Sequence, residues 1–453
     1  MDGLTDEGGI QAIRDGDVLV RATLAARWGA PIMTARESIV IYGINYAPEI
    51  AGVGRYSGEI GAYLTAQGHR VGVVTAPPHY PGWRVQAPHQ NRWVRESIAG
   101  ADLFRCPLYL SEQMKGFRRL LAPLSFAASS APVALWTILR RRPSVVLVVE
   151  PTLFVAPIAL LAARLVGAQT VLHVQDLEVE AAFAVGHLGQ GGLLARLAGA
   201  FDQAMARSFD RIVTISNRMA EKIIDKGVDA SKVEVVRNWV DLEQVRPDQD
   251  ASAYRQELGI AEDAFVALYS GNLGAKQGVR LIWEAAERLR DRQEILFLVA
   301  GDGPMRPELE KAAARLPNLR LVGFQPEARF GEFLSLADVH LLPQEREAAD
   351  LLLPSKLGGM LASAKPVIVT ADAGTELANF LGTSCQLTPP GDSAALAEAI
   401  AEAAGQDPDP ETRAQRLALA GQLAKTSGIA HFVQAALFLQ RPDAPSDARP
   451  IAA

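Results

Sequence analysis

Cysteine is nearly absent: Cys106 and Cys385 are the only two in 453 residues, and they stand far apart in the chain. No disulfide framework and no thiolate metal site can be built from them, which suits a reducing cytosol. An excess of basic charge is missing too. Lys and Arg number 45 against 51 Asp and Glu, a formal net charge of -6, which argues against a general nucleic-acid binder while leaving room for local basic patches. The first residues, MDGLTDEGGI, have neither the basic start nor the apolar stretch of a secretory signal. The first strand-like run begins only at Ser38, so residues 1–37 are expected to be a mobile extension, and residues 1–32, ahead of Met33, a mis-assigned start.

What is present is apolar. Hydrophobic residues make up 49% of the chain and the mean hydropathy is +0.09, values of a well-packed globular protein. The length exceeds one ordinary core, so two domains of roughly 200 residues are expected. The first half reads as repeated strand, loop and helix: strands at Ser38–Gly43, Arg70–Thr75, Ser144–Val149, Thr170–Val174 and Arg211–Ser216. The second half repeats the plan at Phe265–Ser270, Ile295–Ala300, Leu319–Val322, Val339–Leu342 and Pro366–Thr370. Apolar runs of this length, alternating with helices, indicate parallel strands covered on both faces. The division expected is a first domain over 38–240, a linker over 241–263, a second domain over 264–428, a C-terminal helix over 429–440 able to pack on either domain, and a loose tail over 441–453. Ligands of two such doubly wound domains bind beyond the carboxyl ends of the strands, in the cleft between them.

Four segments have the composition of a site. The loop Gly43–Gly54 carries Gly52 and Gly54 ahead of a helix, where bare backbone N–H groups can meet an anion, although a plain helix-start turn has the same pattern. After the strand Phe265–Ser270 come Gly271, Asn272, Leu273 and Gly274, then Lys276: a strand end, bare backbone and a cation, a set suited to a diphosphate. Further on, Pro354 and Ser355 start a helix through Leu357, with Lys356 as a second cation and Asp350 upstream as an acceptor for sugar hydroxyls. In the first half His173 closes an apolar strand and is followed by Gln175, Asp176 and Glu178. The Asp-x-Asp at Asp407-Pro408-Asp409 reads as a helix cap before Glu411 rather than a metal site. Leu120–Leu139 has no charge and could span a bilayer by length. Pro123 and Pro132 interrupt it and arginines flank it, so an interfacial helix on an anionic membrane is expected, with a buried domain helix as the alternative.

At these residues the chain resembles the retaining GT-B enzymes of glycosyltransferase family 4. It is most similar there to the colanic-acid-type exopolysaccharide glycosyltransferases, a group described as fucosyltransferases. The carriers are YGINYAPEIAGVGRY at 42–56, VTAPPHYPGW at 74–83, RCPLY at 105–109, EPTLF at 150–154, LHVQDLEVE at 172–180, YSGNLGAKQG at 269–278 and AADLLLPSKL at 348–357. The resemblance implies a GT-B fold, two Rossmann-like domains facing across a cleft. It implies transfer of a hexose or deoxyhexose, with retention, from a GDP- or UDP-sugar to a lipid-diphosphate-linked saccharide, without cofactor or obligatory metal, at the cytoplasmic face of the inner membrane. Lys276, Gly271–Gly274, Ser355, Lys356 and Leu357 would hold the diphosphate, and His173 would touch the transferred sugar. Gly52 and Gly54 would lie near the phosphates or the acceptor. Gly301, Asp302, Gly303 and Pro304, with Phe324, would form the base pocket. Two departures stand out: Asn272 where many members have arginine, and Gly359 where many have a ribose-binding glutamate. A nucleotide-sugar epimerase and a catalytically silent sugar-nucleotide-binding protein of a polysaccharide assembly remain as alternatives.

Overall fold

The run SIVIYG forms strand β1, Ser38–Gly43, buried at every position, as a strand must be when helices cover both faces of its sheet. The computed structural model describes residues 36–49, 52–80, 82–111, 118–176, 192–345, 353–407 and 409–437. Beside β1 lie β2 (Arg70–Thr75), β3 (Val94–Ile98), β4 (Ala101–Arg105), β5 (Val145–Glu150), β6 (Gln169–Val174), β7 (Arg211–Thr214) and β8 (Val233–Val235), in the order β3-β4-β2-β1-β5-β6-β7-β8. The second sheet holds β9 (Phe265–Ser270), β10 (Ile295–Ala300), β11 (Leu319–Val322), β12 (Val339–Leu342), β13 (Val367–Thr370) and β14 (Gln386–Thr388), ordered β11-β10-β9-β12-β13-β14. Every neighbouring pair is parallel except the β3–β4 hairpin at one edge. Strand order reverses between β1 and β5 in one sheet and between β9 and β12 in the other, so the loops after these strands flank natural ligand crevices.

The ten expected strands are all present, some shifted by a residue or two at an end. Four strands were not expected. β3, VRESI, alternates half-buried and exposed positions at the sheet edge and offers no apolar run, and β8 and β14 are three residues each.

The chain crosses between the domains twice, and the two crossings are stitched together. Val240 N–H donates to Leu423 O at 2.7 Å and Lys425 N–H to Val240 O at 2.8 Å. Glu59, on the helix Val53–Ala66, accepts from Trp239 Nε1 at 2.6 Å and pairs with Lys425 Nζ at 3.1 Å, so one carboxylate anchors both crossings to the first domain. The C-terminal helix Lys425–Leu437 packs on the first domain: Ile429, Phe432, Val433 and Ala436 share a core with Ile39, Val171 and Val213. Between the crossings, the polar stretch 241–263 contributes Val245, Tyr254 and Ile260 to the second core.

The apolar segment forms the helix Arg118–Arg141 with both prolines inside it. Its stretch Leu120–Arg141, mean hydropathy 1.4, is long and apolar enough to cross a membrane by length and composition. One side, carrying Ala122, Phe126, Ser130, Ala134, Thr137 and Ile138, is buried against the first domain.

Candidate active site

β9 and β10 are parallel neighbours, so the loops that leave their carboxyl ends meet. Gly271 N–H donates to Ala300 O at 3.0 Å, Leu273 N–H to Asp302 O at 2.9 Å, and Met305 N–H to Leu273 O at 2.9 Å. The contact is backbone to backbone: a Cβ on Gly301 would sit 1.9 Å from Gly271 O, and one on Gly303 would meet Asn272 Oδ1 at 2.7 Å. Both glycines also hold positive φ, +139° and +157°, which other residues rarely adopt. Side-chain-free backbone is thereby concentrated at the crevice.

Two cations reach this loop pair: Arg306 Nη1 donates to Gly301 O at 2.7 Å, and Lys356 lies beside Gly271. Lys356 lies in the turn before the helix Leu357–Ala362, and its Nζ donates to the Tyr269 hydroxyl at 2.8 Å and sits 4.1 Å from the centre of that ring. A Cβ on Gly271 would lie 3.3 Å from the same nitrogen. Burial pushes the Lys356 ammonium down to about 7. A dianionic ligand in this crevice would return the lysine to its charged form. Lys276, on the turn Ala275–Gln277, is exposed. Ser355 is exposed and lies near Tyr56 of the first domain, so the two halves approach each other at this point.

On the first-domain side the carboxyl end of β6 carries an amide network. Gln175 and Asn238 exchange two hydrogen bonds of 3.0 Å, and Gln175 Nε2 lies 3.0 Å from His173 Nε2. With Gln175 donating, His173 Nε2 accepts and the proton belongs on Nδ1. The imidazole lies inside the strand, 1% exposed, with its centre 4.5 Å from that of Phe432. Burial drives it down to about 3, so it is neutral at pH 7. A cleft-facing histidine was expected; instead β6 runs through His173, the C-terminal helix covers it, and Gln175 and the exposed Asp176 stand at the strand's mouth.

The loops after β1 and β2 are joined by a buried carboxylate. Glu49 accepts from the His79 and Tyr80 backbone N–H groups at 3.0 and 3.1 Å and from Asn45 Nδ2 at 2.9 Å. Gly54 is what makes room for it, since a Cβ there would fall 2.4 Å from Glu49 Oε2. Arg105 clamps the same loops from below. Fully buried, it donates to Ala47 O at 2.6 Å, Ala76 O at 2.9 Å and Glu96 Oε1 at 2.5 Å.

A second contact between the domains is made by Glu376, the buried first residue of the helix Glu376–Leu381. Its carboxylate accepts from the backbone N–H groups of Asn217 and Arg218 at 3.0 and 2.9 Å, the start of the first-domain helix Asn217–Asp225, and pairs with Arg237 Nη2 at 3.3 Å. An acidic side chain at the positive end of a helix is favourable, and here it comes from the opposite domain.

Residues 51–239 match the glycosyl transferase 4-like domain, and residues 264–406 match glycosyl transferases group 1. A relative from Escherichia coli (strain K12) described as a colanic acid biosynthesis glycosyl transferase, WcaI, is 41% identical over 357 residues, 78% of this chain and 86% of that one. The chain belongs to the group 1 and 4-like glycosyltransferases. A D-inositol 3-phosphate glycosyltransferase from Geodermatophilus obscurus is 33% identical over 46% of this chain and 47% of its own. Among solved structures, sucrose-phosphate synthase from Thermosynechococcus elongatus superposes with a TM-score of 0.66 at 15% identity, over 88% of this chain and 98% of that one. Anabaena HepE in complex with UDP and glucose does so with 0.62 at 17%, over 88% and 99%. These two likenesses establish the GT-B fold.

In this glycosyltransferase the residues read from the sequence do not all share one place. Gly271, Asn272, Leu273, Gly301, Gly303 and Lys356 come together at the second-domain crevice. The side chain of Leu357 is fully buried in the second core, where it anchors the helix. Phe324 stands beyond the edge strand β11, 51% exposed. Asp350 and Glu178 lie outside the described residues. Gly359 faces the core, where a Cβ would meet Leu334 Cδ1 at 3.0 Å, so a glutamate there would displace packing. Asp409 caps the helix Pro410–Gln422, accepting from the N–H groups of Glu411 and Thr412. Sequence reasoning missed Tyr269, Glu49, Arg105 and Glu376. The most distant partner of each lies 31 to 159 positions away in the chain, and for the first three the only signal was membership of the motifs themselves.

Proposed function

We propose that this glycosyltransferase is a retaining enzyme that moves a hexose or deoxyhexose from a GDP- or UDP-sugar to a hydroxyl of a lipid-diphosphate-linked saccharide in exopolysaccharide biosynthesis. The observation that carries the reading is Lys356, held over Tyr269 beside the bare backbone of Gly271, Gly301 and Gly303. A preorganised cation and backbone dipoles aimed at one point stabilise the charge that grows on a departing diphosphate. Lys356 and Lys276 would carry the charge that a metal carries elsewhere, and no cofactor beyond the nucleotide sugar is required. In a same-face mechanism a donor phosphate oxygen takes the acceptor's proton, so no protein nucleophile is needed. The first domain presents the exposed Asp176 and the Gly52 turn, and a carboxylate suits an acceptor hydroxyl better than a second phosphate. The role in polysaccharide assembly is supported by the likeness to the colanic acid transferase. Pure protein is expected to release UDP or GDP from one member of a panel of UDP- and GDP-sugars only when a lipid-diphosphate saccharide is added. Acceptor-independent conversion of the sugar would instead indicate an epimerase, and no turnover with any pair a silent binding protein.

The membrane-facing part of this proposal gains a defined surface. Along the helix Arg118–Arg141, the exposed positions Leu124, Ala128, Pro132, Trp136 and Leu139 form an apolar stripe that ends at Arg140 and Arg142. Arg140 lies 5.6 Å from the Trp136 ring, and Trp93, 61% exposed, extends the patch from the edge hairpin. Tryptophan and arginine around an apolar stripe are what an anionic bilayer surface binds. The protein should co-sediment with phosphatidylglycerol vesicles and far less with phosphatidylcholine. Trp93→Ala with Trp136→Ala should weaken that binding about tenfold or more. Carbonate-resistant integration would overturn the peripheral reading, and no vesicle binding at all would leave the stripe as ordinary surface.

A further inference from the structure

Tyr269 is the last residue but one of β9, 0% exposed, and its hydroxyl lies between Lys356 and the glycine loop. That hydroxyl does two things at once: it accepts from Lys356 Nζ at 2.8 Å and donates to Asn272 O at 2.7 Å. The ring face lies 4.1 Å from the same ammonium. A phenol has one proton to give and lone pairs to receive with, so both bonds can form together, and both are directional. Burial raises the Tyr269 pKa far above its ordinary value, so the hydroxyl stays protonated. The groups that meet Lys356 are this phenol, its ring and the Gly271 backbone, and burial is the sole cause of its lowered pKa, with no carboxylate offsetting it among the described residues.

We propose that Tyr269 is a positioning residue for the donor site: it holds the Lys356 ammonium against the glycine loop and ties that loop to the lysine through the Asn272 carbonyl. This inference rests on the reading of Lys356 as a diphosphate ligand. Without the phenol the lysine loses an acceptor that favours its charged form, so its pKa falls further and its direction is no longer fixed. Lysine has four rotatable carbons, and a flexible cation is a poor electrostatic catalyst.

The test is calorimetric binding of UDP and of GDP across pH 6 to 9. Wild-type affinity for the nucleotide that binds is expected to fall as pH rises above about 7, where the free lysine loses its proton. Tyr269→Phe keeps the ring and its packing and leaves two groups to find water, the Asn272 carbonyl, on an exposed residue, and the Lys356 ammonium. It should weaken binding about tenfold at pH 7.5 and move the alkaline limb about one pH unit lower, with melting near wild type. Lys356→Met should abolish the limb, and the double variant should bind no worse than Lys356→Met alone. If neither nucleotide binds the wild type, or Lys356→Met binds like it, the lysine reading falls and this one with it. If Lys356→Met loses binding while Tyr269→Phe keeps wild-type affinity and pH profile, the role of Tyr269 alone is overturned.

Discussion

Lys356→Ala is expected to slow sugar transfer roughly 100- to 1000-fold, with little change in melting temperature. Removing one preorganised charge contact from a departing anion costs about 3–4 kcal/mol at the transition state. The structure places Lys356 where such a contact is strongest, half-buried, oriented by Tyr269 and next to the Gly271 backbone. Its burial, with no counter-charge among the described residues, costs the free protein stability, so truncation should not weaken the fold. Lys276→Ala should act in the same direction but less, because Lys276 is exposed and its field is screened by water and salt. If both cations grip one diphosphate, the double variant will be less than additive. Lys222→Ala, on the first-domain helix Asn217–Asp225, serves as the control and should be near neutral. Steady-state turnover beside thermal melts decides the matter. Near-normal rates in both single variants, with intact folding, would leave the diphosphate assignment without support.

Arg105→Ala should be the most damaging substitution in the first domain, lowering its stability by about 3 kcal/mol. Removing one partner of a buried ion pair costs about 3–5 kcal/mol. Glu96 is 27% exposed and recovers some solvation, which argues for the lower end. The Ala76 and Ala47 carbonyls, by contrast, lose guanidinium donors at 2.9 and 2.6 Å. Lysine should not rescue, since an ammonium cannot reach three acceptors in the geometry of the guanidinium fork. Urea unfolding followed by tryptophan fluorescence reports chiefly on this domain, where Trp83, Trp93, Trp136 and Trp239 reside. The midpoint should fall with an unchanged slope. A wild-type midpoint would show that the clamp adds nothing. Because Arg105 also fixes the loops bearing Glu49 and Tyr80, acceptor KM should rise more than donor KM.

The two-domain α/β plan was legible in the sequence, because a buried parallel strand writes itself as an unbroken apolar run; SIVIYG and ILFLVA needed no context. The glycine loops and the lysines were legible as well, since bare backbone after a strand end is a local property. Edge strands such as VRESI were not, for one half-exposed face dilutes the pattern. What each side chain touches was decided only by the fold. His173 read as a ligand from its place after VL, but the C-terminal helix, arriving some 260 positions later, closes over it. Nothing in the sequence marked Glu376, to which the facing domain offers two N–H groups and an arginine. Local chemistry depends on neighbours in sequence; orientation and burial depend on which distant surfaces pack together, and no periodicity records that.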